Sequence, residues 1–281
     1  MGEIAGLVCL VAGSYIDLMN LFFWRAPRIP VIAMQGIIAA RAGSINLSAY
    51  APVIARGFAL AKRGKKLILA IDSPGGSASQ SDMIGQLIRR RAAEDGVTVY
   101  AVIGDVGASG GYWLACAADE IRANRLSIVG SIGVITGGFG LDKLIARWGI
   151  ERRLQTAGEN KARNEMFSPQ RPQDVEFTRE LLAEAHEMFK SWVRERRGSR
   201  LTDDENAVFD GGYMLGEKAK SLGLIDGFGD VDMLVKELAP KGKAAWLRPK
   251  RTRGLMRLIS RTAIETALDV AEERMIIPGL R

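Results

Sequence analysis

Short apolar runs alternate with stretches of helical spacing along most of the chain. Residues 31–33 with Gly36-Ile37-Ile38, then 67–71 and 97–103, are apolar runs of strand length, as expected for strands covered on both faces. Between them, 50–63 and 80–93 repeat apolar positions at helical spacing. The run 97–103 leads into a helical stretch, 110–118. Shorter apolar pieces at 120–123, 128–130 and 133–135 read as further strands, followed by a helix over 141–148. Residues 173–198 form a long charged helix, and Asp203-Asp204 precede a short helical turn. Strands alternating with helices predict an α/β fold built on a largely parallel sheet with crossover connections. No internal repeat is visible, so the pattern describes one unit.

The join between 97–103 and 110–118 reads Ala108-Ser109-Gly110-Gly111-Tyr112. It sets a hydroxyl at a helix N-terminus, where free N–H groups and the positive dipole end favour developing negative charge. Gly110 and Gly111 have no side chain to hold off an approaching backbone. That is the placement of a nucleophile. Serine is also a common N-cap, so the turn alone does not decide. The apolar run 68–71 ends at Asp72-Ser73-Pro74-Gly75-Gly76, a turn whose N–H groups can face the same point. One donor from that turn and one from Gly110 would then converge on a developing oxyanion; losing such a donor costs about 2.7–4 kcal/mol of transition-state stabilisation. A phosphate loop is excluded, because Gly-Lys-Ser/Thr at Walker spacing is missing and no dinucleotide fingerprint follows a strand. Gly137-Gly138-Phe139-Gly140 reads as a mobile turn.

A nucleophilic serine needs a base. The single histidine, His186, sits in a charged helix near Glu184, Glu187 and Lys190 and reads as a solvated surface residue, which argues against a Ser-His-Asp triad. A lysine can replace histidine where burial or a neighbouring cation lowers its pKa from ~10.4 towards 7–8. Composition does not say which lysine.

Four segments occur in order: Asp72-Ser73-Pro74-Gly75-Gly76, Ala108-Ser109-Gly110-Gly111-Tyr112-Trp113, Gly130-Ser131-Ile132-Gly133-Val134 and Thr156-Ala157-Gly158-Glu159-Asn160-Lys161. Together they resemble the bacterial signal peptide peptidase A family, its short SohB-like members especially, over residues 29–238. The resemblance implies a Ser/Lys peptidase on the ClpP/crotonase-like ββα superhelix. It makes Ser109 the nucleophile, Lys161 the general base and Ser131 the hydroxyl that hydrogen-bonds that lysine. Gly76 and Gly110 match the oxyanion-hole positions, with Gly75 the alternative if the turn is shifted by one residue. It also implies a dry setting that keeps Lys161 neutral, aided by Arg163 or Arg152-Arg153 if they lie near. The commonest family version has Lys-Asp here, whereas this chain has Lys161-Ala162. Phe209-Asp210-Gly211-Gly212-Tyr213 through Gly223-Leu224-Ile225-Asp226 matches the family's closing segment, with its usual Arg-x-Tyr/Phe-Thr-Gly only partly kept. Residual signal peptides or other unfolded, apolar segments are the implied substrates, and a homo-oligomeric ring the implied assembly.

Composition adds limits. With 281 residues and 47% hydrophobic content, the chain can bury one sizeable core. Cys9 and Cys116 do not suggest a disulfide, and no CxxC or His-rich spacing supports a metal; no cofactor is expected. The net charge of +7 comes from short clusters that, except near Trp192, have no interleaved aromatics, which argues against nucleic acid as a partner.

Residues 4–24 are long and apolar enough to span a bilayer, although Asp17 lies among them. No Lys or Arg precedes them, so they do not read as a signal peptide. Arg25 and Arg28 follow, which by the positive-inside rule leaves the catalytic part cytoplasmic, whereas the resembling family usually places it outside the cytoplasm. A helix packed on a partner subunit is the alternative. Residues 251–275 space Leu255, Ile259, Ala263, Ala267 and Val270 as a helix with Arg253, Arg257 and Arg261 between them, which suits subunit packing better than a membrane surface. The expected layout is an apolar segment 1–28, a peptidase domain 29–240 and a basic tail 241–281 with an amphipathic helix. The expected location is the bacterial inner membrane, with the cytoplasm as the alternative. Two other functions stay open. A crotonase-like acyl-CoA enzyme would share the fold without needing Ser109 or a paired lysine, and a non-catalytic membrane scaffold would need neither.

Overall fold

The computed structural model describes residues 27–249. The apolar run 4–24 and the tail helix 251–275 lie outside the described residues. Strands β1 (Arg28–Gln35), β2 (Lys66–Ser73) and β3 (Thr98–Ala108) pair in parallel at the centre of a mixed α/β fold. The sheet continues through β4 (Glu120–Ala123), β5 (Ile128–Gly130), β6 (Tyr213–Leu215), β7 (Gly227–Phe228) and β8 (Lys243–Leu247). Its main path runs β6-β5-β3-β2-β1-β8, with β4 joining β3 to β7. Every pairing is parallel except β5 with β6.

Helices α1 (Leu47–Ala61), α2 (Ala78–Asp95) and α3 (Gly110–Cys116) cover one face, joined by the long helix α5 (Pro172–Arg197) that follows α4 (Asp142–Arg147). The remaining helices are α6 (Glu205–Phe209), α7 (Gly216–Ser221) and α8 (Val231–Leu238). The α1 helix begins where the Asn46 side chain accepts from the Ala49 N–H; Ser77 does the same for α2 through the Gln80 N–H. Gly96, with φ 59°, stops α2 in the left-handed conformation. Residue alternation divides β1 between two cores: Ile32 and Met34 face α1, while Ile29 and Val31 meet Leu234 and Val235 of α8 on the opposite face. Six consecutive β1 positions are therefore buried, which is why the strand reads as a continuous apolar run.

The long strand β3 changes partner midway. Residues Tyr100 to Ile103 pair with β4, and Val106 to Ala108 pair with β5. At the division the Ser127 hydroxyl donates to the Gly104 carbonyl, and the Val106 N–H donates to Asp72 Oδ1 at 3.2 Å. The two halves of β3 thus deliver Ser109 to the edge where β2 and β5 also end. Residues 133–135, expected as a strand, form none: no neighbouring strand pairs with them, and Ile135 is 95% exposed. The division expected at residue 240 falls between α8 and β8, and β8 pairs with β1, so 243–247 belong to the sheet.

Where α5 ends, Arg197 is 1% exposed and bidentate to Asp226, at 2.9 and 2.8 Å, with its Nε donating to the Gly223 carbonyl. Burial opposes the Asp226 carboxylate, but the Arg197 hydrogen bonds and the Ile121 N–H outweigh it and hold the carboxyl below its ordinary range. A depressed carboxyl gives stability that is present above the ordinary carboxylate pKa and is lost as pH falls through the lowered folded value. Asp226→Ala strands a buried guanidinium, so we expect a loss of about 3 kcal/mol in urea unfolding at neutral pH, shrinking as the pH is taken below the carboxylate range. An unchanged urea midpoint would refute this account of the pair.

Candidate active site

Ser109 stands where β3 gives way to α3, with φ 51° and ψ −124°, a conformation that L-residues rarely hold. Such strain costs about 1–3 kcal/mol and persists only where the surroundings impose it. The surroundings here are backbone: the Ser109 N–H donates to the Gly130 carbonyl at 2.9 Å, and its carbonyl accepts from the Trp113 N–H at 3.0 Å. Its side chain makes no capping hydrogen bond, so the hydroxyl remains available for chemistry. The first N–H groups of α3 have no acceptor within the helix.

Against this helix end lies the glycine turn after β2. A Cβ on Gly75 would meet the Gly110 nitrogen at 2.7 Å, Ser109 Cβ at 2.8 Å and the Ala108 carbonyl oxygen at 2.9 Å. The turn reaches the serine because Gly75 and Gly76 hold φ values of 100° and 140°. The Gly75 N–H donates to Ser73 Oγ at 3.2 Å, so it is already occupied. The parallel bridge of Gly76 to Ile38 uses the Gly75 carbonyl and the Ser77 N–H. The Gly76 N–H takes no part in that bridge.

Ser131 follows β5 and also has a positive φ, 51°. Its N–H donates to the Gly212 carbonyl at 2.6 Å. Since Ala108 and Gly130 are register partners, Ser131 lies immediately beside the turn that carries Ser109. The structure therefore brings Ser109, Gly110, Gly76 and the 130–131 turn together.

Lys161 is placed differently. No residue from 133 to 173 is buried, and Lys161 is exposed within this segment. No hydrogen bond joins it to Ser109 or Ser131 among the described residues. The dry setting expected for it is not met within the single chain, where Lys161 is exposed. Arg163 and Arg152 have acidic partners of their own. Arg163 is turned to Asp174 at 3.4 Å and lies over the Phe177 ring, 3.9 Å from its centroid, while Arg152 pairs with Glu165 at 3.3 Å. Between Gly137–Gly140, Met166 and the α5 residues Val175 and Leu182 lies a cavity of about 570 Å³.

His186 is not the solvated residue its charged neighbours suggested. It is half-buried, and its Nε2 lies 2.8 Å from the Ile132 carbonyl oxygen. A carbonyl only accepts, so Nε2 carries the proton and ties α5 to the residue after Ser131. Cys116, at the far end of α3, is fully buried, and burial pushes its thiol up to about 12, which makes it an inert neighbour of the serine. Among the described residues, no group of three or more His, Cys, Asp or Glu is placed to hold a metal.

A model of peptidase family S49 matches residues 91–245. The chain belongs to peptidase family S49. Its S49 match spans Ser109, Ser131 and Lys161, while the glycine turn lies ahead of it. Over 228 residues the chain is 40% identical to the Na(+)/H(+) antiporter NhaA of Brucella melitensis, covering 79% of this chain and 31% of that protein. It is 34% identical over 175 residues to the chloroplastic serine protease SPPA of Arabidopsis thaliana, covering 62% of this chain and 25% of that one. With the probable protease SohB of Haemophilus influenzae it shares 25% identity over 211 residues, covering 75% and 59%. The chain thus spans less than two thirds of the length of each of these relatives. Most of the stretch aligned with the antiporter must fall within 27–249, where the S49 sheet is found and no described helix is long and apolar enough to cross a membrane.

Proposed function

We propose that this S49 domain is an endopeptidase of the ClpP/crotonase-like superhelix class, working through Ser109 and Lys161. The observation that carries the reading is the uncapped Ser109 hydroxyl at a strained helix N-terminus, pressed against Gly75-Gly76. Ser109 Oγ attacks the peptide carbonyl and gives its proton to Lys161 Nζ; the N–H groups of Gly110 and Gly76 hold the oxyanion. The tetrahedral intermediate collapses as Lys161 returns the proton to the leaving amine. Water, activated by the same lysine, then releases the acyl group from Ser109. Ser131 orients the lysine.

The exposure of Lys161 bears on assembly. Ile135, Phe139 and Trp148 in the unburied segment are 95%, 78% and 71% exposed. Apolar area of this kind marks an interaction surface. A second copy of the chain packed over 133–173 would cover those side chains and desolvate the lysine, in keeping with a homo-oligomer. Unfolded, apolar segments such as residual signal peptides are the substrates this reading implies, since an extended backbone must reach Ser109. The apolar run 4–24 would hold the domain at a bacterial inner membrane.

The test combines a fluorophosphonate probe with an unfolded fluorescent protein, using the purified full chain. The expected result is label on Ser109 and cleavage confined to oligomeric fractions. Binding of a coenzyme A thioester without peptide cleavage would favour an acyl-CoA enzyme, and no turnover of either would favour a scaffold. Membranes washed with carbonate should retain the chain; its full release would refute the membrane placement.

A further inference from the structure

Helix α3 has only seven residues, so its length alone does not hold it in place. Its last four carbonyls belong to Trp113, Leu114, Ala115 and Cys116, and none has an acceptor's partner further along the helix. Leu114 and Ala115 accept from the Ala117 and Ala118 N–H groups at 3.1 and 2.9 Å. Side chains from other elements take the rest. Trp192 Nε1 donates to the Trp113 carbonyl at 3.1 Å, and Arg196 Nε to Cys116 at 3.0 Å.

The same pattern continues past the helix. Arg89 donates to the Ala117 carbonyl at 3.2 Å, Arg196 Nη2 to Ala118 at 3.2 Å and Arg200 to Asp119 at 3.0 Å. The Asp119 carboxylate closes the ring: it accepts from Arg89 at 2.7 Å, from Arg196 at 3.3 Å and from the Val99 N–H at 2.9 Å. Three guanidiniums, from α2, α5 and the 3-10 turn Gly198–Arg200, thus grip the end of the helix whose other end bears Ser109. Cations are also the favoured charge at a helix C-terminus.

We propose that Arg196, seconded by Arg89 and Arg200, is a positioning residue that fixes α3 along its axis and so keeps Ser109 Oγ and the Gly110 N–H in register with the Gly75-Gly76 turn. The inference rests on the reading of Ser109 as nucleophile. Arg196 is the centre of the grip because its fork spans two carbonyls and a carboxylate at once, with a side chain only 16% exposed. Lysine has a single point of donation and cannot reproduce that fork. A displacement of about 1 Å at the reacting atoms costs on the order of 100-fold in rate, so a small slide of α3 is enough to be read kinetically.

The test is kinetic, on the purified full chain with a fluorogenic peptide. Arg196→Lys and Arg196→Met should lower kcat at least tenfold, with KM within twofold of wild type and the thermal midpoint largely kept. Arg196→Ala should regain part of its kcat on addition of millimolar guanidinium, while an equal concentration of sodium chloride does nothing. A kcat within twofold of wild type for both Lys and Met variants overturns the proposal. So does a loss that appears in KM, or one that follows the thermal midpoint without guanidinium rescue. If the Arg196 variants do not fold, Arg89→Lys carries the test, with at least a threefold fall in kcat expected and an unchanged kcat overturning it. Fluorophosphonate labelling of the wild type separates the two readings: absence of label on Ser109 refutes the nucleophile, whereas normal label with an unaffected kcat in the arginine variants refutes the clamp alone.

Discussion

Ser109→Ala, Lys161→Ala and the double variant should all lose the same activity. A nucleophile and its base act as one unit, so removing either removes the path and removing both removes little more. A positioned acid–base group contributes about 10²–10⁴ in rate, which sets the expected fall in kcat/KM for Lys161→Ala at 100-fold or more. The measurement is hydrolysis of an unfolded fluorescent protein by the purified full chain, with folding checked by circular dichroism. Ser131→Ala should cost about tenfold, since in the proposed mechanism its hydroxyl orients the base and makes no bond to substrate. His186→Ala should cost a few-fold at most, because its Nε2 proton is engaged with the Ile132 carbonyl. A folded Lys161→Ala variant that keeps more than about a tenth of wild-type activity would remove Lys161 from the mechanism.

Gly75→Ala should silence the enzyme without unfolding it. The new methyl group would press on the Gly110 nitrogen, Ser109 Cβ and the Ala108 carbonyl oxygen, all within 2.9 Å, at a φ of 100° that alanine resists. Backbone on one side or the other must move, and the proposed oxyanion donors part. Loss of one donor alone is worth about 2.7–4 kcal/mol, or a kcat reduced 100- to 1,000-fold. Gly36→Ala is the matched control. Its φ is 96°, but a Cβ there meets nothing within 4 Å, so it bears the backbone strain without touching the site. Comparable kcat values for the two variants, measured on the same peptide, would show that the close approach at Gly75 does not matter for catalysis.

How much of this was legible beforehand depended on where each element finds its partners. The buried strands at the centre announced themselves as apolar runs, and their helices by spacing. The far half of β3 was hidden because Gly104-Asp105-Val106-Gly107 breaks the apolar pattern, while its pairing with β5 is a non-local event. The reverse error came at 133–135, where a strand-like sequence found no partner. Strands β6, β7 and β8 each bury at most one residue, so no core face marks them in the sequence. The placing of Ser109 against the glycine turn could be argued from residues alone. Lys161 could not, since nothing local distinguishes it from other lysines, and only the ordered motifs pointed to it. His186 was misread from its charged neighbours. Its spacing to the buried Phe189 and Val193, three and seven positions on, was the available sign that it faces inward.

The burial of Cys116 gives α3 a built-in clock. A thiol enclosed at the end of α3 away from Ser109 and pushed up to about 12 reacts with iodoacetamide only when the helix lifts away from the sheet. In a Cys9→Ser background, the rate of alkylation therefore counts openings of one short helix, in an otherwise folded enzyme. Run with and without a bound peptide, such a measurement would tell whether substrate merely finds the serine in place or helps to hold it there.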